Sequence, residues 1–184
     1  MLQRFQIIFL CTLGACLYGI IHDQITVRIC LEYFVKPVHP PIFGGTHNPT
    51  LLALGWGVIA TWWVGFFLGL ALALCATEGR APKLPPSQLL KPLALTLALL
   101  ATLAALSGLA GYLAASRGLF LDQNLSDFPP EEAIPFATTQ TTHLASYTFG
   151  ALLGLALCTH TLLRRRRMAT TQAQTAGLKA HPHA

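Results

Sequence analysis

The chain has 184 residues, of which 53% are hydrophobic and 10% charged, and its formal net charge is +5. Soluble domains carry roughly 25% charged residues, and here the apolar residues come in long blocks, so disorder, a collagen-like repeat and nucleic-acid binding are poor readings. Four of the twelve basic residues form one run, Arg164 to Arg167, directly after an apolar block, which is the position of a membrane flank.

A block of 18 or more apolar residues can cross the hydrocarbon layer as a helix, because 1.5 Å per residue sets its reach and internal hydrogen bonds satisfy its backbone. Four blocks meet or nearly meet this length, at about 5–21, 51–76, 92–115 and 143–163. The expected fold is an all-α membrane protein, a bundle of four transmembrane helices over residues 1–167 followed by a disordered tail at 168–184. The first block also has the look of a lipoprotein signal ending at Cys16. Apolar Leu17 to Ile21 continue past that cysteine, however, and favour a span.

After the first span comes His22-Asp23-Gln24-Ile25-Thr26-Val27-Arg28-Ile29-Cys30-Leu31-Glu32-Tyr33-Phe34. From Ile25 to Tyr33 the apolar and polar residues alternate, as in a half-buried strand. A lone strand has no partner, so the helical reading is preferred; it continues the first span, stacks His22, Thr26 and Tyr33, and sets Arg28 four residues before Glu32. Asn48-Pro49 and Lys91-Pro92 both read as helix starts, because proline in a first turn gives up an amide that had no partner.

If the spans alternate, nine of the twelve Lys and Arg residues share one side, namely Arg4, Arg80, Lys83, Lys91, Arg164 to Arg167 and Lys179. That side is expected to be cytoplasmic and to hold both termini, leaving two long extracytoplasmic loops at 22–48 and 116–142. The arginine run is expected to attract anionic lipid headgroups. Small residues at helical spacing, Gly65 with Gly69, Gly150 with Gly154, and Ala104, Gly108 and Gly111, favour close helix packing.

The outer polar layer carries what chemistry there is. His22, His39, His47 and His143, with Glu32, supply imidazole nitrogen and carboxylate oxygen, a metal-ligand inventory. Asp23, Gln24, Thr26, Arg28 and Tyr33 complete a polar cap. The spacing matches no established metal motif, no nucleophile elbow or phosphate loop is present, and the five cysteines form no C-x-x-C pair. The first expectation is therefore a non-enzymatic protein without a cofactor, whose cap has a structural or partner-binding role. The alternative is a haem or transition-metal protein using His22 and His143, and a third class is a transporter or lipid-handling subunit.

The runs YGIIHDQITVRICLEYF, HPPIF, PTLLALGWGVIATWWVG and HLASY followed by the arginines together resemble a family of small bacterial four-span membrane proteins. The resemblance covers most of residues 18 to 69 and 143 to 167. It implies placement in the bacterial inner membrane and brings no activity, cofactor or catalytic residue with it.

Overall fold

The computed structural model describes residues 1–35, 39–119 and 129–180, and among them every regular element is helical. The helices are α1 (Leu2–Ile29), α2 (Glu32–Val35), α3 (Pro49–Ile59), α4 (Trp62–Thr77), α5 (Ser87–Ala115) and α6 (Pro130–Ala180). With α3 and α4 taken as one kinked crossing, four segments are long and apolar enough to span a membrane.

The stretch after His22 is helix, because α1 runs unbroken from Leu2 to Ile29 and so keeps its own backbone hydrogen bonds. It stops at Cys30, which is extended and donates its amide to Thr26 O. That stop changes the expected pairing of Arg28 with Glu32: the chain turns between them, and Arg28 instead donates to the Gln24 carbonyl, to Gln24 Oε1 (2.7 Å) and to Thr50 Oγ1 (3.1 Å). Asn48 starts α3 as expected, its Oδ1 accepting from the amides of Thr50 (3.0 Å) and Leu51 (3.2 Å) ahead of the apolar run. Between α3 and α4 the helix bends at Ala60 and Thr61. There the Thr61 hydroxyl bonds back to the Gly57 carbonyl, a local competition that tilts helices.

Three boundaries differ from the expectation. The third span begins at Ser87, so Pro92 lies inside α5. Proline cannot bond the carbonyl four residues back, Gln88 O, and Arg164 Nη1 donates to that carbonyl at 3.3 Å instead. The fourth helix begins at Pro130, so the end of the expected second loop is helical; proline suits a first helical position, and Glu131 and Glu132 suit the positive end of the helix dipole. At its other end α6 continues through the arginines to Ala180, where a disordered tail was expected; Ala, Gln, Met and Arg are good helix formers. Asp122-Gln123, which repeats the Asp23-Gln24 pair in the second expected loop, and the tail histidines His181 and His183 lie outside the described residues.

Each long helix packs mainly on its hairpin partner, α1 against α3 and α4, and α5 against α6. Gly57, Gly65 and Gly69 lie on one face of α3 and α4 and meet the α1 backbone. A Cβ would lie 2.6 Å from Ile20 Cα at Gly57 and 2.8 Å from Thr12 Cα at Gly65, so hydrogen is the only side chain that fits. Gly108 and Gly111 likewise face Thr142 and Thr141 of α6. The two hairpins join through α4 and α6, while α1 and α5 touch little.

One end of the bundle, the arginine end, is locked by a buried guanidinium. Arg165 is 2% exposed and donates to the carbonyls of Pro82 (2.7 Å), Cys75 (2.6 Å), Glu78 (2.6 Å) and Ala81 (2.8 Å). These acceptors lie at the end of α4 and in the turn after it, where helix carbonyls lack partners and the dipole favours a cation. Arg4 adds an ion pair to Glu78 and a bond to Thr77 Oγ1 at 3.0 Å, and Gln3 donates to Leu84 O at 2.6 Å. The headgroup role expected of the whole run is thereby narrowed. Arg165 is inside the protein, Arg164 holds Gln88 Oε1 at 2.6 Å, and Arg166 and Arg167 are exposed.

Replacing Arg165 by alanine strands four carbonyls and should cost about 3 kcal/mol or more, whereas Arg166→Ala should cost under about 0.5 kcal/mol. Thermal unfolding in mild detergent measures the difference; equal losses in the two variants would contradict the lock.

Candidate functional site

At the opposite end of the bundle, the last turns of α1 and the second quarter of α6 bring polar side chains together. On α1, Tyr18, His22 and Thr26 follow one another at four-residue spacing, and Asp23 is beside them; on α6, His143 and Ser146 lie one turn apart. Asp23 is 4% exposed and Thr26 2%. His143 Nε2 is 3.1 Å from Thr26 Oγ1 and 3.8 Å from Asp23 Oδ1. The His22 and His143 rings meet edge to face with centres 4.7 Å apart.

The second imidazole is held from one side only. His22 Nδ1 lies 3.5 Å from Tyr18 OH and 3.4 Å from Ser146 Oγ, and these two hydroxyls are themselves 2.8 Å apart. Its Nε2 is buried and has no hydrogen-bond partner. One ligand atom from each of His22, Asp23 and His143 lies within 4.8 Å of the other two. An ion of suitable size can therefore be reached by two nitrogens and a carboxylate oxygen.

Aromatic rings roof this centre. The short helix α2 buries Tyr33 and Phe34, whose ring centres lie 4.7 and 5.6 Å from that of His143. His39 stacks on Phe34 at 5.4 Å with planes 6° apart, lies 4.5 Å from Trp56, and places Nδ1 3.0 Å from Tyr33 O. Burial lowers the His39 pKa from its usual 6.5, against the opposing effect of the Tyr33 carbonyl, and pushes the Tyr33 hydroxyl up to about 12. Burial also raises the Cys30 thiol, whose Sγ lies 3.6 Å from Glu32 Oε2.

Of the expected ligands, only His22 and His143 converge. The third member is Asp23, which was expected in the cap. Glu32 engages Cys30, His39 belongs to the aromatic roof, and His47 is exposed on the loop before α3. Gln24 and Arg28 occupy another face of α1 and stitch it to Thr50, with Gln24 Nε2 3.3 Å from Thr50 O. Tyr33 packs on His143, and Thr26 bonds it.

Tyr18 was not foreseen, although its four-residue spacing from His22 carries the signal. Trp56 is buried against His39 and Phe43. A bis-imidazole haem does not fit His22 and His143. Iron between two imidazole nitrogens separates the ring centres by roughly 6 Å, and these rings are in contact, with Tyr33 and Phe34 packed on one of them.

No family model, curated protein or solved structure matches the chain.

The lowered His39 pKa fixes a pH dependence. Below about pH 6.5 the unfolded chain protonates His39 while the folded chain resists, so this contribution to stability is complete above that pH and shrinks as the pH falls. His39→Phe should keep the ring packing and flatten the decline in unfolding temperature between about pH 7.5 and 5. Identical slopes in the variant and the parent protein would show that His39 contributes nothing to it.

Proposed function

We propose that this is a multi-pass protein of the bacterial inner membrane, with both termini cytoplasmic, that holds a divalent transition-metal ion between His22, Asp23 and His143 on the extracytoplasmic side. The observation that carries the metal reading is the convergence of one ligand atom each from His22, Asp23 and His143 within 4.8 Å of one another, in a cluster where His22 also has a buried, unpartnered Nε2. A buried polar atom without a partner costs free energy, and a metal bond removes that cost.

The donor set suits zinc or another first-row divalent ion. Two neutral imidazoles supply nitrogen, the carboxylate offsets part of the charge, and coordination positions stay open for water or a further ligand. The hydroxyls of Tyr18 and Ser146 would fix the His22 ring from its Nδ1 side, the role that outer partners play around metal-bound histidine. No residue is assigned a catalytic role.

The charge distribution supports the orientation. Arg4, Arg80, Lys83 and Arg164 to Arg167 belong to the arginine end, while Asp23 and Glu32 belong to the other, as expected when short cationic loops stay in the cytoplasm. Arg166 and Arg167 remain free to meet anionic headgroups, at about 1 kcal/mol per charge.

A second reading has its own support: Thr26 Oγ1 already gives His143 Nε2 a partner at 3.1 Å, so the cluster could act as a hydrogen-bonded clamp between α1 and α6. A partner-docking role for the cap is less well supported, because Asp23 and Thr26 are buried.

Metal analysis of the protein purified in mild detergent, followed by stripping and zinc or cobalt titration, separates the two. One equivalent per chain is expected, with affinity about tenfold or more weaker in His22→Ala and Asp23→Asn and unchanged in His47→Ala. A parent protein that takes up no metal would leave the clamp. Topology reporters at residues 47 and 167 should fall on opposite sides of the membrane; the same side for both would overturn the orientation.

A further inference from the structure

The five cysteines are scattered along the chain and all are free thiols, but the fold gathers three of them. Cys11 of α1, Cys75 of α4 and Cys158 of α6 belong to one core cluster near the arginine end, with Cys11 and Cys158 buried and Cys75 half-buried. Glycines allow this approach. Gly69 admits α1 until a Cβ there would lie 2.9 Å from Cys11 Cβ, and Gly154, one turn before Cys158, admits Leu68 of α4. The Cys158 thiol interacts directly with that of Cys75, and Cys11 is close enough to act on it as well. Cys11 and Cys158 also line the same cavity of about 110 Å³ in the middle of the bundle.

Thiolate is a soft donor that favours soft metal ions. The three sulfurs do not all come within 4.8 Å of one another, so the closed sulfur cage that zinc or an iron–sulfur cluster needs is not formed. A facing pair suits an ion content with two ligands. Two thiolates around a monovalent ion leave one negative charge, and a counter-charge is in place. Arg165 is buried and donates Nη1 to the carbonyl of Cys75 itself at 2.6 Å. Its other acceptors are carbonyls too, and the Glu78 carboxylate pairs with Arg4; among the described residues no carboxylate pairs with Arg165. A buried cation without an opposing charge is costly, and an anionic complex beside it lowers that cost.

We infer that Cys75 and Cys158 bind one soft monovalent metal ion of the copper(I) class as a bis-thiolate, with Cys11 as a third sulfur to one side and Arg165 as the counter-charge. Binding forms two metal–sulfur bonds and releases the two thiol protons to water; nothing is oxidised or reduced. The arginine end, read above as cytoplasmic, is the side on which thiols stay reduced. This site is distinct from the histidine cluster, since Cys158 lies fifteen residues beyond His143 along α6, about 22 Å at 1.5 Å per residue. It requires neither the metal reading nor the orientation.

The test is an anaerobic titration of the full chain, reduced and stripped of metal in mild detergent, with copper(I) in competition with the chelator bicinchoninate. It uses the parent protein and His22→Ala, which disables the other end. His22→Ala should take up one copper(I) per chain, and in both proteins the copper X-ray absorption spectrum should show sulfur neighbours. Cys75→Ser and Cys158→Ser should each weaken uptake by more than about tenfold, the loss that removing even an outer partner of a metal ligand can cause. Cys16→Ser and Cys30→Ser should leave it unchanged.

No uptake by the parent protein overturns the inference, and so do nitrogen neighbours alone, which need no substitution to detect. Undiminished affinity in the Cys75→Ser, Cys158→Ser double variant, confirmed as folded by its unfolding transition, overturns it as well. A protein that binds copper(I) through sulfur but takes up no zinc would reject the metal reading at the histidines and leave this one standing; zinc uptake without copper at the thiols would do the reverse.

Discussion

Inside hydrocarbon a polar group has no water to fall back on, so each one must find its partner within the protein. Both ends of this bundle are organised around that constraint, with opposite outcomes. At the arginine end carbonyls that α4 and its turn leave open meet the guanidinium of Arg165, whose Nε, Nη1 and Nη2 each donate to at least one of them. At the histidine end the constraint is met only in part. Thr26, Ser146 and Tyr18 satisfy one imidazole and one face of the other, and a ring nitrogen of His22 is left over.

Backbone packing decides which side chains face that constraint. The glycine face of α3 and α4 draws α1 in until backbones touch near Ile20 and Thr12, and this contact sets the rotation of α1 about its own axis. With that rotation fixed, Asp23 and Thr26 are buried and Gln24 and Arg28 are directed to Thr50. The same close pairing within hairpins leaves α1 and α5 apart, with an open groove between them.

The cluster of His22, Asp23 and His143 carries no recognisable sequence motif. A histidine pair on a single helix would advertise itself by spacing. Here the clustered side chains come from helices more than a hundred residues apart in the chain, and the roof over them comes from a four-residue helix. A polar centre assembled this way brings two imidazoles and a carboxylate together under aromatic rings that pack directly on His143.

Much of the architecture was legible in one dimension, because hydropathy and helix starts are local properties. Four apolar blocks of membrane length, the Asn48-Pro49 start, the helical continuation past His22 and the gathering of cations on one side of the blocks all follow from residues read in order. What depended on distant partners was not legible. Arg165 looks identical to its three neighbours in the run, and only the fold gives it four carbonyls and makes it a lock. Pro92 looked like a helix start because the sequence does not show that Arg164 would take up the carbonyl it strands. Asp23 rather than Glu32 joins the histidines because α1 ends at Cys30 and the chain turns before Glu32. Sequence determined which segments enter the membrane, since that choice is a sum over neighbouring side chains; the tertiary structure decided which polar atoms are satisfied there, since that depends on distances between helices that no local pattern contains.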